Sequence, residues 1–186
     1  MDTVNHLRDL LSFDLRHLRS AEEQIEEALP AMIEKARNPQ LKQALQEHLE
    51  ITRSQRQRVE ALETRLGEQR ENTGLLDGLL GLGVTNKGVA GIIDEAEKLM
   101  RVDMAPEVMD AAIIGAAQKV EHWEIAAYGT ARTFAEELGM MDVAEELQSI
   151  LDEEHEANDL LTELAEGGIN QRAELGDIST DDARDL

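Results

Sequence analysis

The stretch Ile114–Ala135, IGAAQKVEHWEIAAYGTARTFA, indicates both the fold and the position of a candidate site. Residues three and four apart share one side of a helix. Here that side reads Ile114, Ala117, Glu121, Glu124, Tyr128, Ala131 and Ala135. Two carboxylates, Glu121 and Glu124, therefore interrupt a stripe that is otherwise suited to a helical core. A buried ionised carboxylate is costly unless it is paired or bound to a cation, so this helix predicts a site as well as a core.

Composition favours an all-helical protein. The chain has 186 residues, enough for one domain with a sizeable core, and its apolar content is mostly Leu, Ala and Ile with only 2% aromatics. The net charge of −22 argues against nucleic acid and against an anionic membrane surface as partners. The absence of cysteine excludes disulfides, thiolate catalysis and cysteine-ligated metal centres. No apolar run resembles a signal peptide or a membrane span, so a cytoplasmic location is expected.

Periodicity predicts four long helices. They are expected at Thr3–Ala36, Pro39–Gln69, Pro106–Gly139 and Asp142–Glu166. Pro30 is expected to kink the first helix, and Asn38-Pro39 reads as an N-cap followed by Pro at the first helical position. Gly139 reads as a left-handed C-cap, and Gly167-Gly168 as the end of the fourth helix. Residues 1–166 are thus predicted to form the bundle, and residues 167–186 a flexible acidic tail.

A long connection joins the second and third helices. Its sequence from Thr73 to Gly91, TGLLDGLLGLGVTNKGVAG, is rich in Leu and Gly and predicts a loop and a short helix, with a further helix through about Met100. Ferritin-like bundles have one long crossover at this position, and the fold expected here is therefore a ferritin-like four-helix bundle. The segment is interpreted as a crossover covering one end of the bundle or a dimer contact; a lipid-facing lid is the alternative.

Other helices also place carboxylates on their apolar sides. On the fourth predicted helix that side reads Leu147, Ile150, Leu151, Glu154, Asn158, Leu161 and Ala165. On the first it reads Leu15, Leu18, Glu22, Ile25 and Leu29. If the chain folds back at Gly139-Met140, residue 121 lies level with residue 158 and residue 124 with residue 155. Several inward carboxylates at one depth would need bound cations, retained protons or buried bases.

The contribution of the second helix is ambiguous. Its apolar stripe passes through His48 and Thr52, whereas Glu50 lies roughly on the opposite side. Periodicity alone favours His48 as the inward metal ligand. A core histidine that is merely hydrogen-bonded is the alternative.

Four stretches together resemble ferritin-like proteins of the YciE/YciF type. They are Ser20–Met32 (SAEEQIEEALPAM), Glu47–Leu62 (EHLEITRSQRQRVEAL), Ala116–Thr130 (AAQKVEHWEIAAYGT) and Leu151–Ala165 (LDEEHEANDLLTELA). The resemblance implies a bundle that forms a homodimer, a link to bacterial stress responses and a dinuclear metal site. By position, the implied ligands are Glu22, Glu50, Glu121, Glu124 and Glu154, and the Glu121/Glu124 pair is also similar to that of rubrerythrin-type proteins.

Two departures from the family pattern reduce the implied ligand set. Ferritin-like second helices usually carry Glu-x-x-His, but here Arg53 follows Glu50 at that spacing, and Asn158 stands where family members commonly have Asp. Arg53 could replace a metal ion as the counter-charge of the carboxylates.

Two functions follow from the sequence. The first is a dinuclear iron or manganese protein, because an oxygen-rich ligand set suits these metals; its chemistry would involve peroxide or dioxygen. The second is a metal-free dimeric bundle that serves as a structural or ligand-binding and partner-binding module. The residue pattern does not decide whether the protein is an enzyme, and it does not identify a substrate or a redox partner.

Overall fold

The fold is all-helical, as the sequence predicts. The computed structural model describes residues 4–68 and 84–175, and no strand occurs among them. The helices are α1 (Leu7–Lys35), α2 (Pro39–Glu68), α3 (Lys87–Met100), α4 (Pro106–Glu137), α5 (Met141–Leu164) and α6 (Asn170–Leu175), with one π-helical turn, Ala165–Ile169, between the last two. The helices α1, α2, α4 and α5 are the four long helices expected from the hydrophobic periodicity.

The first hairpin is fixed by capping at its turn. The side chain of Asn38 accepts hydrogen bonds from the backbone N–H groups of Gln40 (2.9 Å) and Leu41 (3.1 Å), which confirms the predicted N-cap of α2. The buried carboxylate of Asp110, on α4, accepts from the backbone N–H groups of Arg37 (2.7 Å) and Asn38 (2.9 Å). This contact ties the α1–α2 turn to the start of α4.

The N-terminal boundary of α1 differs from the prediction. The helix begins at Leu7 because the Asp9 carboxylate accepts from the backbone N–H groups of Asn5 and His6, just before the first turn. The predicted start, Thr3, lies outside the described residues, as does Gln69 at the predicted end of α2. The helix runs through Pro30, whose ring lies on the exposed side.

The crossover is attached to α1 by Asn86. Its side chain caps α3 by accepting from the N–H groups of Gly88 and Val89, and its amide donates to the carbonyl of His17 at 3.1 Å. Its own backbone N–H donates to Ser20 Oγ at 3.1 Å. The predicted helix ending near Met100 is present as α3. The predicted loop and short helix before it, residues 71–83, lie outside the described residues.

The second hairpin turns where the glycine predicts. Gly139 adopts φ +69°, the left-handed conformation expected of a C-cap, and α5 begins two residues later. The predicted end of this helix at Gly167-Gly168 is wrong, however. Gly168 has φ +127°, but the chain resumes as α6, because Ile169 packs into the core and is buried. Helical structure therefore crosses the predicted bundle–tail boundary between residues 166 and 167 and reaches Leu175, and the tail beyond it lies outside the described residues.

The apolar core is divided into two halves along the bundle. One half, at the end with the α1–α2 turn, includes Ile25 of α1, Leu45 of α2, Val120 of α4 and Leu161 of α5. The other half includes Leu18 of α1, Val59 of α2, Tyr128 of α4 and Leu151 of α5. Each of the four long helices thus passes from one half to the other at one level. The buried polar side chains lie at that boundary.

Candidate metal centre

Four carboxylates occupy the boundary between the two half-cores. Glu22 comes from α1, Glu121 and Glu124 from α4, and Glu154 from α5, and no more than 2% of any of them is exposed. The prediction that they point inward at a shared depth is confirmed. Each occupies a helical position whose neighbours three and four residues away are apolar, so packing of those neighbours carries the carboxylate inside.

The second helix contributes His48. Its side chain is buried, and its Nε2 lies 3.4 Å from Glu121 Oε1. Ligand atoms of His48, Glu121, Glu124 and Glu154 all lie within 4.8 Å of one another. The four residues can therefore converge on one metal ion with little movement.

Two further residues of α2 complete this polar layer. Thr52 and Gln55 are both buried, one and two turns beyond His48. The amide of Gln55 donates to Glu154 Oε1 at 2.5 Å and to Glu153 Oε2 at 3.0 Å. Sequence reasoning missed Gln55, although it continues the ladder through His48 and Thr52 toward Val59.

Glu50 and Arg53 lie elsewhere. The Glu50 side chain is 70% exposed and pairs with Arg53 Nη1 at 2.5 Å, while Arg53 Nε reaches Glu26 at 3.1 Å. The structure thus places Glu50 away from the buried carboxylates, as periodicity rather than the family resemblance indicates. The suggestion that Arg53 supplies their counter-charge is wrong, since it sits on the outer side of α2. Asn158 is half-buried and accepts from Gln118 at 3.4 Å, outside this cluster.

Tyr128 connects the polar layer to the second half-core. It is fully buried one turn beyond Glu124, and its hydroxyl donates to Glu22 Oε1. Burial, followed by the charges of Glu22 and Glu124, raises the pKa of Tyr128 well above its ordinary value. The phenol therefore stays protonated and holds the Glu22 carboxyl in position.

The electrostatics of the cluster favour protons or cations. Burial raises the pKa values of Glu22, Glu121 and Glu124 well above the ordinary carboxyl value, and the Glu154 charge adds to this. Burial likewise raises the pKa of Glu154 to about 7. Glu121 lies close enough to Glu154 to share a proton, and Glu124 is similarly placed beside Glu22. In the absence of a cation, the layer holds protons at neutral pH.

Cationic side chains do not neutralise these groups from within the core. Within residues 4–68 and 84–175, no lysine or arginine is buried. Burial lowers the pKa of His48 to about 4, so its imidazole is neutral at physiological pH. The nearest guanidinium, that of Arg58, is engaged by Glu153 at 2.7 and 2.8 Å and by Glu146 at 2.5 Å.

The donor atoms fit a bound metal. One oxygen of each cluster carboxylate lacks a hydrogen-bond partner, as does His48 Nδ1; the unpartnered oxygens are Glu22 Oε2, Glu121 Oε2, Glu124 Oε2 and Glu154 Oε2. Buried polar atoms are nearly always satisfied in folded proteins. Four carboxylates and one neutral imidazole are also the ligand types that bind iron and manganese.

Comparison with known proteins identifies the family. Residues 6–174 match the family described as Domain of unknown function (DUF892). The chain belongs to this family. It is 36% identical over 171 residues to Protein YciF of Escherichia coli (strain K12), covering 90% of this chain and 95% of that protein.

Solved structures of DUF892-type proteins share the fold. The crystal structure of the E. coli stress protein YciF is 34% identical and has a TM-score of 0.79, covering 91% of this chain and all of that one. YcfI from Rhodopseudomonas palustris, provisionally described as a structural protein, is 40% identical with a TM-score of 0.75 over 86% and 94% of the two chains. A Xanthomonas campestris protein at 23% identity, with a TM-score of 0.65 over 89% and 95%, supports the fold alone. The expected YciF-type resemblance is thus confirmed.

The described helices were also compared with the requirements of a membrane span. None of those in residues 4–68 and 84–175 combines the length and the apolar character needed to cross a bilayer.

Proposed function

We propose that this protein binds a dinuclear iron or manganese centre in the polar layer between its two half-cores. The proposed ligands are Glu22, His48, Glu121, Glu124 and Glu154. The observation that carries the proposal is the burial of four carboxyl groups at one level, each with an unpartnered oxygen and with no buried Lys or Arg beside them in the described residues. Bound divalent cations would replace the protons that otherwise neutralise these groups.

The ligand types support the choice of metals. Carboxylate oxygens with a single imidazole form a hard site, which suits iron or manganese better than copper or structural zinc. Bound redox-active metal would supply chemistry toward peroxide or dioxygen. The chain's own contribution is to orient Glu22 through the Tyr128 hydroxyl and Glu154 through the Gln55 amide, and to keep the site in an apolar surrounding.

The relatives support a cellular context. The E. coli relative is described as a stress protein, and we extend that role to this chain as part of the proposal. A homodimer is proposed on the same family resemblance; light scattering coupled to size-exclusion chromatography tests it directly.

Metal analysis tests the proposal. Protein purified without chelator should carry roughly two iron or manganese ions per chain, as in other two-metal sites. Glu121→Gln and Glu154→Gln should each lose metal, whereas Glu163→Gln, an exposed control on α5, should retain it. Wild-type protein that stays metal-free after anaerobic incubation with excess Fe²⁺ or Mn²⁺ would contradict the proposal. Anomalous diffraction at the iron and manganese edges would then place any bound ion.

A metal-free structural bundle is the second candidate. It is favoured by the pairing of Glu121 with Glu154 and of Glu124 with Glu22, since shared protons can neutralise the layer without metal. The provisional description of the R. palustris relative as structural agrees with it. Both candidates expect Glu154→Gln to stabilise chelator-treated protein, so metal content of the wild type, rather than stability, distinguishes them.

A further inference from the structure

A cavity between α2 and α5 leads from solvent to the buried ligands. Its volume is about 160 Å³. Its inner end is formed by His48 and Glu121, and its outer end by Glu47 of α2 and by Glu153 and Glu156 of α5. Apolar side chains, among them Leu45, Ile51, Ala157, Leu160 and Leu161, form the walls between the two ends. The cluster ligands are thus buried but not sealed off.

The inner end presents unsatisfied ligand atoms. His48 Nδ1 and Glu121 Oε2 have no hydrogen-bond partner, and both residues are more than nine-tenths buried. Buried atoms of this kind are costly unless a ligand completes them. The cavity therefore ends on groups that are able to accept an arriving cation.

The outer end carries negative charge that is not fully compensated. Glu47 and Glu156 are exposed, and Glu47 accepts only the neutral amide of Gln43 at 2.8 Å. Glu153 is paired with Arg58, so its charge is largely neutralised. Among the described residues that line this cavity, none is Lys or Arg. The opening therefore attracts cations locally, in addition to the attraction of the whole acidic chain.

A second cavity reaches the same two residues but suits cations poorly. It lies among α1, α3 and α4, has a volume of about 30 Å³, and is lined by apolar residues such as Leu29, Met32 and Val120. It has room for about one water-sized molecule. A divalent ion would lose most of its hydration shell there without gaining ligands on the way, which is strongly unfavourable.

We propose that the α2–α5 cavity is the entry route by which hydrated divalent metal ions reach the centre, with Glu47 and Glu156 acting as the capture site at its mouth. This inference rests on the proposed function. It assigns to Glu47 and Glu156 a role in the rate of metal uptake and none in the number of ions finally held.

The test compares uptake kinetics with the final stoichiometry. Chelator-treated protein is mixed with Mn²⁺ in a stopped-flow instrument, and uptake is followed with a Mn²⁺-sensitive indicator; bound metal is counted after equilibration. Glu47→Gln/Glu156→Gln should slow uptake about 3- to 10-fold at low ionic strength, with a smaller effect at high salt, as expected for lost electrostatic steering. Ala157→Trp, which places a large side chain in the cavity, should slow it at any ionic strength.

A matched double variant controls for net charge. Glu60→Gln/Glu163→Gln removes one exposed carboxylate from each of α2 and α5 away from the cavity mouth, so it should leave the uptake rate nearly unchanged. Equal slowing by both double variants, or unchanged uptake in the mouth double variant and in Ala157→Trp, would overturn the entry route while leaving the centre intact. A wild type that binds no Mn²⁺ at equilibrium would instead overturn the proposed function itself.

Discussion

Replacing Glu154 by Gln should stabilise the metal-free protein, and the gain should grow with pH. The buried Glu154 carboxyl has a pKa of about 7 in the folded state, against a model value of 4.5 that approximates the unfolded chain. Between these values the folded state binds more protons than the unfolded state, so this residue makes stability fall as pH rises from about 4.5 to 7. Gln has a similar shape, can accept from Gln55 as Glu154 does, and never has to ionise.

The magnitude follows from the two pKa values. At about 1.4 kcal/mol per pH unit, the cost of keeping Glu154 in the fold is about 1 kcal/mol at pH 5 and about 3 kcal/mol at pH 8. The variant should therefore gain about 2 kcal/mol relative to wild type between these two conditions. At pH 8 the full difference corresponds to roughly 6–12 °C in Tm for a domain of this size.

Urea unfolding of chelator-treated protein at pH 5 and pH 8 measures this gain. Differences between Gln and a protonated Glu that do not depend on pH cancel in the comparison. The exposed control Glu163→Gln should shift stability by no more than about 0.5 kcal/mol at either pH. An unfolding free energy of Glu154→Gln that follows the wild type in parallel from pH 5 to pH 8 would refute the assignment of Glu154 as a carboxyl held in the core at the expense of its ionisation.

Three further predictions follow from the same cluster. Mn²⁺ affinity measured by calorimetry should rise between pH 5.5 and 7.5 and binding should release protons, because metal displaces protons from carboxyls whose pKa values are raised; pH-independent binding without proton release would place the metal elsewhere. In NMR titrations of metal-free protein, the His48 imidazole should remain neutral down to about pH 4, since burial lowers its pKa; protonation near pH 6.5 would indicate a solvated ring. Tyr128→Phe should cost about 1–2 kcal/mol of stability in urea unfolding, because Glu22 loses its hydroxyl donor; a neutral effect would show that this hydrogen bond is not needed.

Periodicity was sufficient to predict most of the buried carboxylates. Glu22, Glu121, Glu124 and Glu154 each stand between apolar residues one turn away on both sides, and burial of that face fixes their direction. On α2 the same reasoning favoured His48 over Glu50, and the structure agrees. Gln55 was missed because a lone amide on a helix carries little signal until its partner, Glu154, is brought beside it from 99 residues away.

Long-range contacts explain where the sequence was insufficient. Asp110 caps the α1–α2 turn from 72 and 73 residues away, and no local pattern announces such a cap. Gly167-Gly168 reads locally as a helix end, and Gly168 does bend the backbone, but burial of Ile169 outweighs that signal and the helix resumes. Local propensity thus predicted the helices, whereas tertiary packing decided their last residues.

The position of the polar layer is itself an argument for function. The four long helices all pass from one apolar half-core to the other at this level, so apolar side chains of similar size would join the two halves into one continuous core. Replacing buried charged groups by apolar ones is often neutral or stabilising. The chain instead keeps four carboxyls there whose pKa values are all raised by burial, and clusters of perturbed groups of this kind concentrate at functional sites. A layer that weakens the metal-free fold at neutral pH, and that a bound cation would stabilise, is what metal binding requires of a folded protein.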